Sequence, residues 1–331
     1  MTKHVSVLLN EAINNLAIKS DGVYIDLTLG RGGHSSEILK RLINGKLYAF
    51  DKDQEAIDES RNRLANISNH FEIIHDDFKN FRKDLDERKV SYVDGLLVDL
   101  GVSSPQFDEN ERGFSYRSNA RLDMRMDQRQ NLDAYKVVND YSLQDLTRIF
   151  REYGEEKYAY QIAKEIVKHR ENSPIETTFD LVDIVKKVKP QKELNKKGHP
   201  AKQIFQAIRI EVNDELGALK TMITDAIKSL NVGGRLVIIS FHSLEDRIVK
   251  NAFNEVSKIE GNRHNVFFIP TIEDEPKYKQ IGKLITPSEE EMEINPRSKS
   301  AKMRVLERIR LWKINYSNMA KVNHLSFGKS F

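Results

Sequence analysis

The stretch YIDLTLGRGGHSSEIL, residues 24–39, decides the fold, because it has the pattern of a buried strand, a glycine-rich turn and the start of a helix. Such a unit usually holds a nucleotide. Ser35 stands where the dinucleotide pattern G-x-G-x-x-G ends in glycine or alanine, so the match is partial. Asp26 lies near the carboxyl end of the strand, where a carboxylate would repel a pyrophosphate and attract a cation. S-adenosylmethionine carries an ammonium and a sulfonium, and it is the ligand that this position favours.

Short apolar runs separated by amphipathic stretches predict a parallel sheet with crossover helices. The predicted strands are residues 22–29, 46–53, 71–78, 93–101 and 235–241. The last strand follows NVGG, residues 231–234, which has the composition of a turn. Between residues 108 and 230 the pattern is helical, as in 143–154, 156–170, 178–188 and 202–230.

The simplest organisation is one α/β domain, made of both chain ends and interrupted by a helical insertion. We assign residues 1–107 and 216–314 to a Rossmann-like α/β domain, 108–215 to an all-helical insertion that recognises the substrate, and 315–331 to a polar tail.

Composition bounds the class of protein. The 331 residues are 39% hydrophobic and include no cysteine, which excludes a disulfide framework and a thiolate zinc site. The first residues, MTKHVSVLLNEAINNL, have too short an apolar stretch for a secretory signal, and no later run is long enough to span a bilayer. We therefore expect a cytoplasmic protein with no membrane contact.

Positive charge is concentrated in two segments, although the net charge is only +3. Residues 186–202 hold seven lysines and one glutamate, and residues 297–313 hold seven Lys or Arg and one glutamate. Such local excess indicates a polyanionic partner.

Acidic residues close the strands that follow the first one. Asp51 lies 21 residues after Gly30, close to the offset of about 20 at which an acid meets ribose hydroxyls in nucleotide-binding folds. An acid followed by an aromatic ring suits an adenine, because the acid accepts from the amine and the ring covers the base. The remaining strand-end residues are Asp76, Asp77 and Phe78 after the third strand and Asp99 after the fourth. Since the carboxyl ends of parallel strands meet at one edge, these residues predict a single crevice.

Eight sequence blocks occur in order along the chain: HVSVLLNEA, GRGGHSSEIL, DLGVSSPQFD, ERGFSYRSNARLDMRMD, YGEEKYAYQIAKEIV, GHPAKQIFQAIRIEVNDEL, ISFHSLEDRIVK and NPRSKSAKMRV. This set, from His4 to about Arg310, resembles the bacterial S-adenosylmethionine-dependent small-subunit ribosomal RNA methyltransferases of the MraW/RsmH family. The resemblance implies methylation of the N4 amine of a cytidine in the decoding region, within an assembled or nearly assembled subunit. It implies no DNA partner, and the oligomeric state, monomer or dimer, stays open.

The resemblance also implies which residues contact S-adenosylmethionine. The family's cofactor contacts carry over to Gly32, Gly33, His34, Asp51, Phe78, Asp99 and Gln106. We add Gly30 and Asp77 from their positions, and Asp26 as the acid near the methionine ammonium.

Methyl transfer from a sulfonium is an in-line displacement, so the protein chiefly aligns the reactants and excludes water. Cytosine N4 is a poor nucleophile, and Ser104 with the Pro105 carbonyl is predicted to hold its hydrogens. Amino-methyltransferases often have an aromatic residue where this chain has Gln106. Stacking on the target base is therefore expected from Phe107, from Phe114 or from the inserted domain.

His242 is a candidate proton acceptor, which completes a predicted catalytic set of Asp99, Ser104, Pro105 and His242. The alternative is structural, because Ser243 followed three residues later by Asp246 resembles a capping box.

No metal site is expected. Residues His34, His75 and His242 lack the spacing of a zinc site, while Asp123 and Asp127 are interleaved with arginines and predicted to form salt bridges. Two other functions stay open: a nicotinamide-dependent oxidoreductase and a non-catalytic RNA-binding protein of ribosome assembly.

Overall fold

The structure, a computed structural model, describes residues 6–101, 110–258 and 276–310. These residues form a seven-stranded sheet in the order β3-β2-β1-β4-β5-β7-β6. The strands are β1 (Val23–Asp26), β2 (Lys46–Asp51), β3 (Phe71–His75), β4 (Val93–Asp99), β5 (Leu230–Ser240), β6 (Tyr278–Gln280) and β7 (Lys302–Arg308). Strands β1 to β5 are parallel, and β7 runs antiparallel to both β5 and β6.

Helices cover both faces of this sheet and build the middle of the chain. Within the described residues they are α1 (Leu9–Leu16), α2 (Gly33–Leu39), α3 (Gln54–Ala65), α4 (Phe81–Glu87), α5 (Ala134–Asp140), α6 (Leu143–Glu152), α7 (Ala159–Arg170), α8 (Thr178–Val188), α9 (Gln191–Leu194), α10 (Lys202–Asn213), α11 (Glu215–Ser229), α12 (Ser243–Val256) and α13 (Glu289–Ile294). Short 3-10 turns add Phe78–Asn80, Asn110–Arg112 and Pro296–Ser300. None of the helices in the described ranges is long and apolar enough to cross a membrane.

Alternate strand residues face two cores, because successive side chains of a strand point to opposite faces. Leu96 and Val98 pack with α4, α11 and α12 on one face, while Leu97 packs with α1, α2 and α3 on the other. A third core is made within residues 114–212. The sheet topology confirms the α/β Rossmann-like class. The third core is formed by helices, as the sequence pattern predicts for this part of the chain.

Ile162 and Ile166 are fully buried in the helical core, with Val167 packed against it. One local expectation from the sequence is confirmed nearby. Asp123 and Asp127 each form an ion pair with the arginine two residues on, at 2.7 and 2.8 Å. The structure thus confirms the salt bridges that were predicted from the interleaved charges.

Other expectations were wrong. Residues 231–234 lie inside β5 as an irregularity of its pairing with β4. The helix expected over 202–230 is broken at Asp214, whose φ of 48° is left-handed. Strands β6 and β7 were not expected. The charges of residues 297–313 conceal β7, a strand in which Met303, Val305 and Leu306 are buried.

The basic C-terminal segment is therefore partly structural. Arg304 Nε lies 2.7 Å from Asp246 Oδ1, and Arg308 is 6% exposed with its Nη1 2.6 Å from the Leu230 carbonyl oxygen. Two of the charges that were read as a signal for a polyanion instead hold β7 to the body of the α/β domain.

Candidate functional site

A crevice lies at the carboxyl edge of the parallel strands, where ligands of open α/β sheets bind. Its described lining comprises Ser6, Val7, Leu27, Thr28, Leu29, Gly30, Arg31, Gly33, His34, Asp51, Lys52, Asp76, Phe78, Asp99, Leu100, Gly101, Met126, Phe241, Asn295 and Arg297. Of the predicted cofactor residues, six lie in this lining: Gly30, Gly33, His34, Asp51, Phe78 and Asp99.

The glycine loop enters the crevice between β1 and α2. Gly30 and Gly32 have φ values of 49° and 71°, a left-handed conformation that glycine adopts without a steric penalty. The Gly30 amide donates to Asp51 Oδ2 at 2.8 Å, and Ser60 Oγ donates to the Gly30 carbonyl oxygen at 2.6 Å. These bonds hold the turn in one shape, with Gly32 facing the side chain of Ser60 rather than the crevice.

Asp51 closes β2 and is anchored by backbone donors. Besides Gly30, the amide of Asp53 donates to its second oxygen at 2.9 Å. Burial raises the pKa of Asp51 to about 6, although both amides act in the opposite direction. A carboxylate so placed still has lone pairs for hydroxyl donors in the crevice.

Asp26 is 1% exposed and is absent from the crevice lining. Its carboxylate accepts from Ser35 Oγ at 2.6 Å and from the Thr28 amide at 3.1 Å. Burial raises its pKa, against the opposing influence of His34 and these bonds. The structure thus gives Asp26 the task of tying α2 to β1, and its predicted contact with an ammonium stays a prediction.

Asp99 and His34 meet at the next strand end. His34 Nδ1 is 3.8 Å from Asp99 Oδ2, and His34 Nε2 is 3.1 Å from the Val7 carbonyl oxygen. Asp99 Oδ1 is buried and has no hydrogen-bond partner among the described residues. Burial, with the charges of Asp26 and Glu245, raises the pKa of Asp99 well above its usual value, while burial lowers the pKa of His34. An uncompensated buried acid here favours a cationic ligand.

At the end of β3, Asp76 lines the crevice and Asp77 does not. Asp77 accepts from the Lys79 amide at 3.0 Å and lies 3.5 Å from Lys52 Nζ. The structure therefore brings Asp76 to Phe78 at the crevice and assigns the predicted Asp77 to capping the turn that carries Phe78. Sequence alone did not separate two adjacent acids.

His242 is the residue before α12, and it forms the capping box with Glu245. The expected cap by Ser243 and Asp246 was wrong, because α12 starts at Ser243 itself, whose Oγ donates to Glu155 Oε2 at 2.8 Å. Glu245 Oε2 accepts from the Phe241 amide at 2.7 Å. His242 does not reach the described lining of the crevice, so its role as proton acceptor stays a prediction.

Three potential metal ligands, Glu215, His242 and Glu245, have ligand atoms within 4.8 Å of one another. Arg209 already binds both oxygens of Glu215 at 2.8 Å. The cluster is an ion-pair network that joins the α10–α11 junction to the start of α12.

Some predicted residues lie outside the described ranges: Ser104 and Pro105 of the catalytic set, the cofactor contact Gln106 and the stacking candidate Phe107. Phe114 was wrongly expected near the target base. It is 3% exposed and belongs to the helical core.

Sequence reasoning missed several residues of the lining, among them Lys52, Met126, Phe241, Asn295 and Arg297. Two of them carried a signal. Asn295 and Arg297 open the NPRSKSAKMRV block, but without β7 there was no reason to bring that block to the strand edge.

Fold and crevice together define a nucleotide-binding α/β protein with acids at its strand ends. The model of the MraW methylase family matches residues 1–309, and the chain belongs to that family. It is 49% identical over 308 residues to the ribosomal RNA small subunit methyltransferase H of Oenococcus oeni, covering 92% of this chain and 98% of that relative.

Two solved structures resemble this chain at low sequence identity. An rRNA methylase from Streptococcus thermophilus is 13% identical with a TM-score of 0.43, covering 93% of this chain and 100% of that one. A SAM-dependent O-methyltransferase from Thermotoga maritima is 10% identical with a TM-score of 0.41, covering 95% of this chain and 70% of that one. The order and direction of the strands, and not these two likenesses, show the α/β class of the chain.

Gly33→Ala is expected to disturb the crevice, because a Cβ at this position would overlap Ser6 Oγ. Rotation of the Ser6 hydroxyl relieves part of this overlap but leaves Ser6 Cβ at 3.2 Å, so a loss of about 1 kcal/mol, the low end of the overpacking range, should appear as a lower melting temperature in thermal unfolding. The double variant Ser6→Gly/Gly33→Ala removes the obstructing side chain and should recover most of the loss. Equal melting temperatures for Gly33→Ala and the unchanged protein would contradict this close approach.

Proposed function

We propose that the chain uses S-adenosylmethionine to methylate the N4 amine of a cytidine in the decoding region of small-subunit ribosomal RNA. The observation that carries the cofactor is the pair of half-buried acids at the crevice, Asp51 and Asp99, on strands that flank β1. Asp51 offers acceptors for ribose hydroxyls, and Asp99 offers an unpaired oxygen to the cationic methionine end. A dinucleotide would bring phosphates to this acidic edge, which disfavours the nicotinamide alternative.

The adenine end of the ligand is expected near β3. Phe78 supplies a ring face and Asp76 an acceptor for the exocyclic amine. This pairing agrees with the position of Asp51 on the neighbouring strand, because the ribose adjoins the adenine. Within this proposal, Gly30, Gly33 and His34 shape the wall along the rest of the cofactor.

The substrate follows from the family and from one motif. The named relative acts on small-subunit ribosomal RNA, and the SSPQ motif supplies short polar groups suited to an amine. N4 would attack the methyl carbon as the bond from that carbon to sulfur breaks, so that the sulfonium becomes a neutral thioether and the N4 proton passes to an acceptor. Ser104 and the Pro105 carbonyl are proposed to hold the amine, with Asp99 or His242 as candidate acceptors of the proton.

Mass mapping of small-subunit RNA tests this proposal directly. RNA from cells with the protein is expected to contain an N4-methylated cytidine that is absent without it. Complementation with Asp99→Ala should leave that cytidine unmodified, whereas a non-catalytic assembly protein would be indifferent to the variant. Identical modification patterns with and without the protein would refute the proposed activity.

Cofactor affinity is expected to depend on pH through Asp51, whose pKa is about 6. The carboxyl group is charged above this pH and neutral below it, and the charged form is the better acceptor for ribose hydroxyls. The dissociation constant measured by calorimetry should therefore rise as the pH falls below 6, by at most about tenfold per unit. Asp51→Ser should bind weakly with a flatter profile, which separates Asp51 from Asp26 and Asp99. A wild-type affinity that is constant from pH 5 to 8 would contradict this role.

We propose that the helical insertion, residues 108–215, docks the RNA. Of the seven lysines in 186–202, only Lys189 is buried, where its Nζ lies 2.6 Å from Glu156 Oε2 and 2.7 Å from the Pro200 carbonyl oxygen. Core packing thus accounts for one lysine, and the others are exposed: Lys186, Lys187, Lys192, Lys196, Lys197 and Lys202. Lys187 and Lys196 form surface ion pairs with Glu165 and Glu193, and the segment keeps an excess of exposed positive charge that suits phosphate contacts.

Replacing Lys192, Lys196 and Lys197 by glutamine should weaken RNA binding and flatten its salt dependence. Each lost phosphate contact lowers the slope of log affinity against log salt by about 0.7–0.9, so three contacts lower it by about 2. The matched control replaces Lys83, Lys220 and Lys228, which are also exposed but lie on α4 and α11. Equal slopes for the two triple variants would contradict RNA docking by residues 186–202. Cofactor affinity should not change in either.

A further inference from the structure

Two phenylalanines line the crevice among the described residues, and they stand at opposite ends of it. Phe78 follows β3, and Phe241 follows β5. With β2, β1 and β4 between these strands and about 4.8 Å per strand step, the strands are about 19 Å apart. One flat ligand ring cannot contact both side chains, so the crevice offers two separate aromatic platforms.

The two platforms differ in what surrounds them. Phe78 lies beside Asp76 and the strand that carries Asp51, which suits the adenosine end of the cofactor. Phe241 directly follows β5, the strand that pairs with β4, and so lies beyond Asp99. In an in-line displacement the acceptor stands beyond the methyl group, on the side away from the adenosine. Phe241 is therefore on the acceptor side.

Phe241 is half-buried against the core that contains Leu97, and its backbone is anchored. Its amide donates to Glu245 Oε2 at 2.7 Å, so the capping box of α12 holds the residue in place. Gly101 lies against the ring, and a Cβ built on that glycine would be 3.5 Å from Phe241 Cδ2. Gly101 also has a φ of 107°, which side chains rarely adopt. The absence of a side chain at 101 leaves room beside the ring.

We propose that Phe241 is the platform on which the acceptor cytosine stacks, with Gly101 leaving space for the base. This inference rests on the proposed function and adds the residue that positions its substrate. Stacking on Phe241 would hold the pyrimidine plane so that N4 faces the methyl group near Asp99. It also answers the need for an aromatic residue that Gln106 leaves open and that the buried Phe114 does not meet.

The test compares Phe241→Leu and Phe241→Tyr with a matched variant, Phe78→Leu, at the other platform. Unmethylated small-subunit RNA and labelled S-adenosylmethionine give single-turnover rates at saturating cofactor. Phe241→Leu is expected to reduce kcat/KM for RNA by about 10- to 100-fold, the range of losing one base–aromatic stack. Its affinity for S-adenosylmethionine should stay at the wild-type value, and Phe241→Tyr should recover most of the activity. Phe78→Leu should weaken cofactor binding instead.

A second readout does not depend on turnover. Saturation-transfer NMR with cytidine 5′-monophosphate and protein bound to S-adenosylhomocysteine should transfer signal to the cytosine protons in Phe241→Tyr but not in Phe241→Leu. Wild-type activity in Phe241→Leu, or a loss of cofactor affinity as large as that of Phe78→Leu, would overturn the inference. If the wild-type protein methylates no cytidine at N4, the proposed function fails and not merely the role of Phe241.

Discussion

Hydrogen bonds between the glycine loop with the start of α2 and two carboxylates, the buried Asp26 and the half-buried Asp51, support the rest of the site. Asp51 binds the Gly30 amide at 2.8 Å, and Asp26 binds Ser35 Oγ at 2.6 Å, so the two ends of the loop are tied to β2 and β1. Burying these acids costs free energy, which is why their pKa values are raised. The same burial leaves negative potential at the strand edge, where it favours hydroxyl donors and cations over phosphates.

Segments that are far apart in the sequence complete the crevice, because they contact one another near the carboxyl edge of the sheet. The Val7 carbonyl oxygen lies 3.1 Å from His34 Nε2, and the Leu8 amide donates to Glu291 Oε1 at 2.8 Å. The first described residues thus bridge α2 and α13. Next to α13, the 3-10 turn 296–300 carries Arg297 into the lining. The part of the lining formed by Val7 and Arg297 depends on these contacts as much as on the sheet.

The helical core within residues 114–212 is joined to the elements that follow it near the proposed acceptor side. Ser243 at the start of α12 binds Glu155, and Arg209 near the end of α10 binds Glu215 at the start of α11. Buried Glu245 lies beside this network and also holds the Phe241 amide. The loop that carries Phe241 is therefore held by the same group of polar side chains that contacts the helical core.

The sequence by itself determined the parallel strands, the helical interruption and the strand-end acids, because these depend on local periodicity and on an edge that all parallel strands share. Asp51, Phe78 and Asp99 could be selected in this way. Tertiary structure decided the rest. In the folded chain Asp26 is buried, and Asp76 rather than Asp77 lines the crevice. A charged segment forms β7, and Phe241 reaches the crevice. These outcomes depend on which neighbours a side chain meets across the sheet, and no local pattern carries that information.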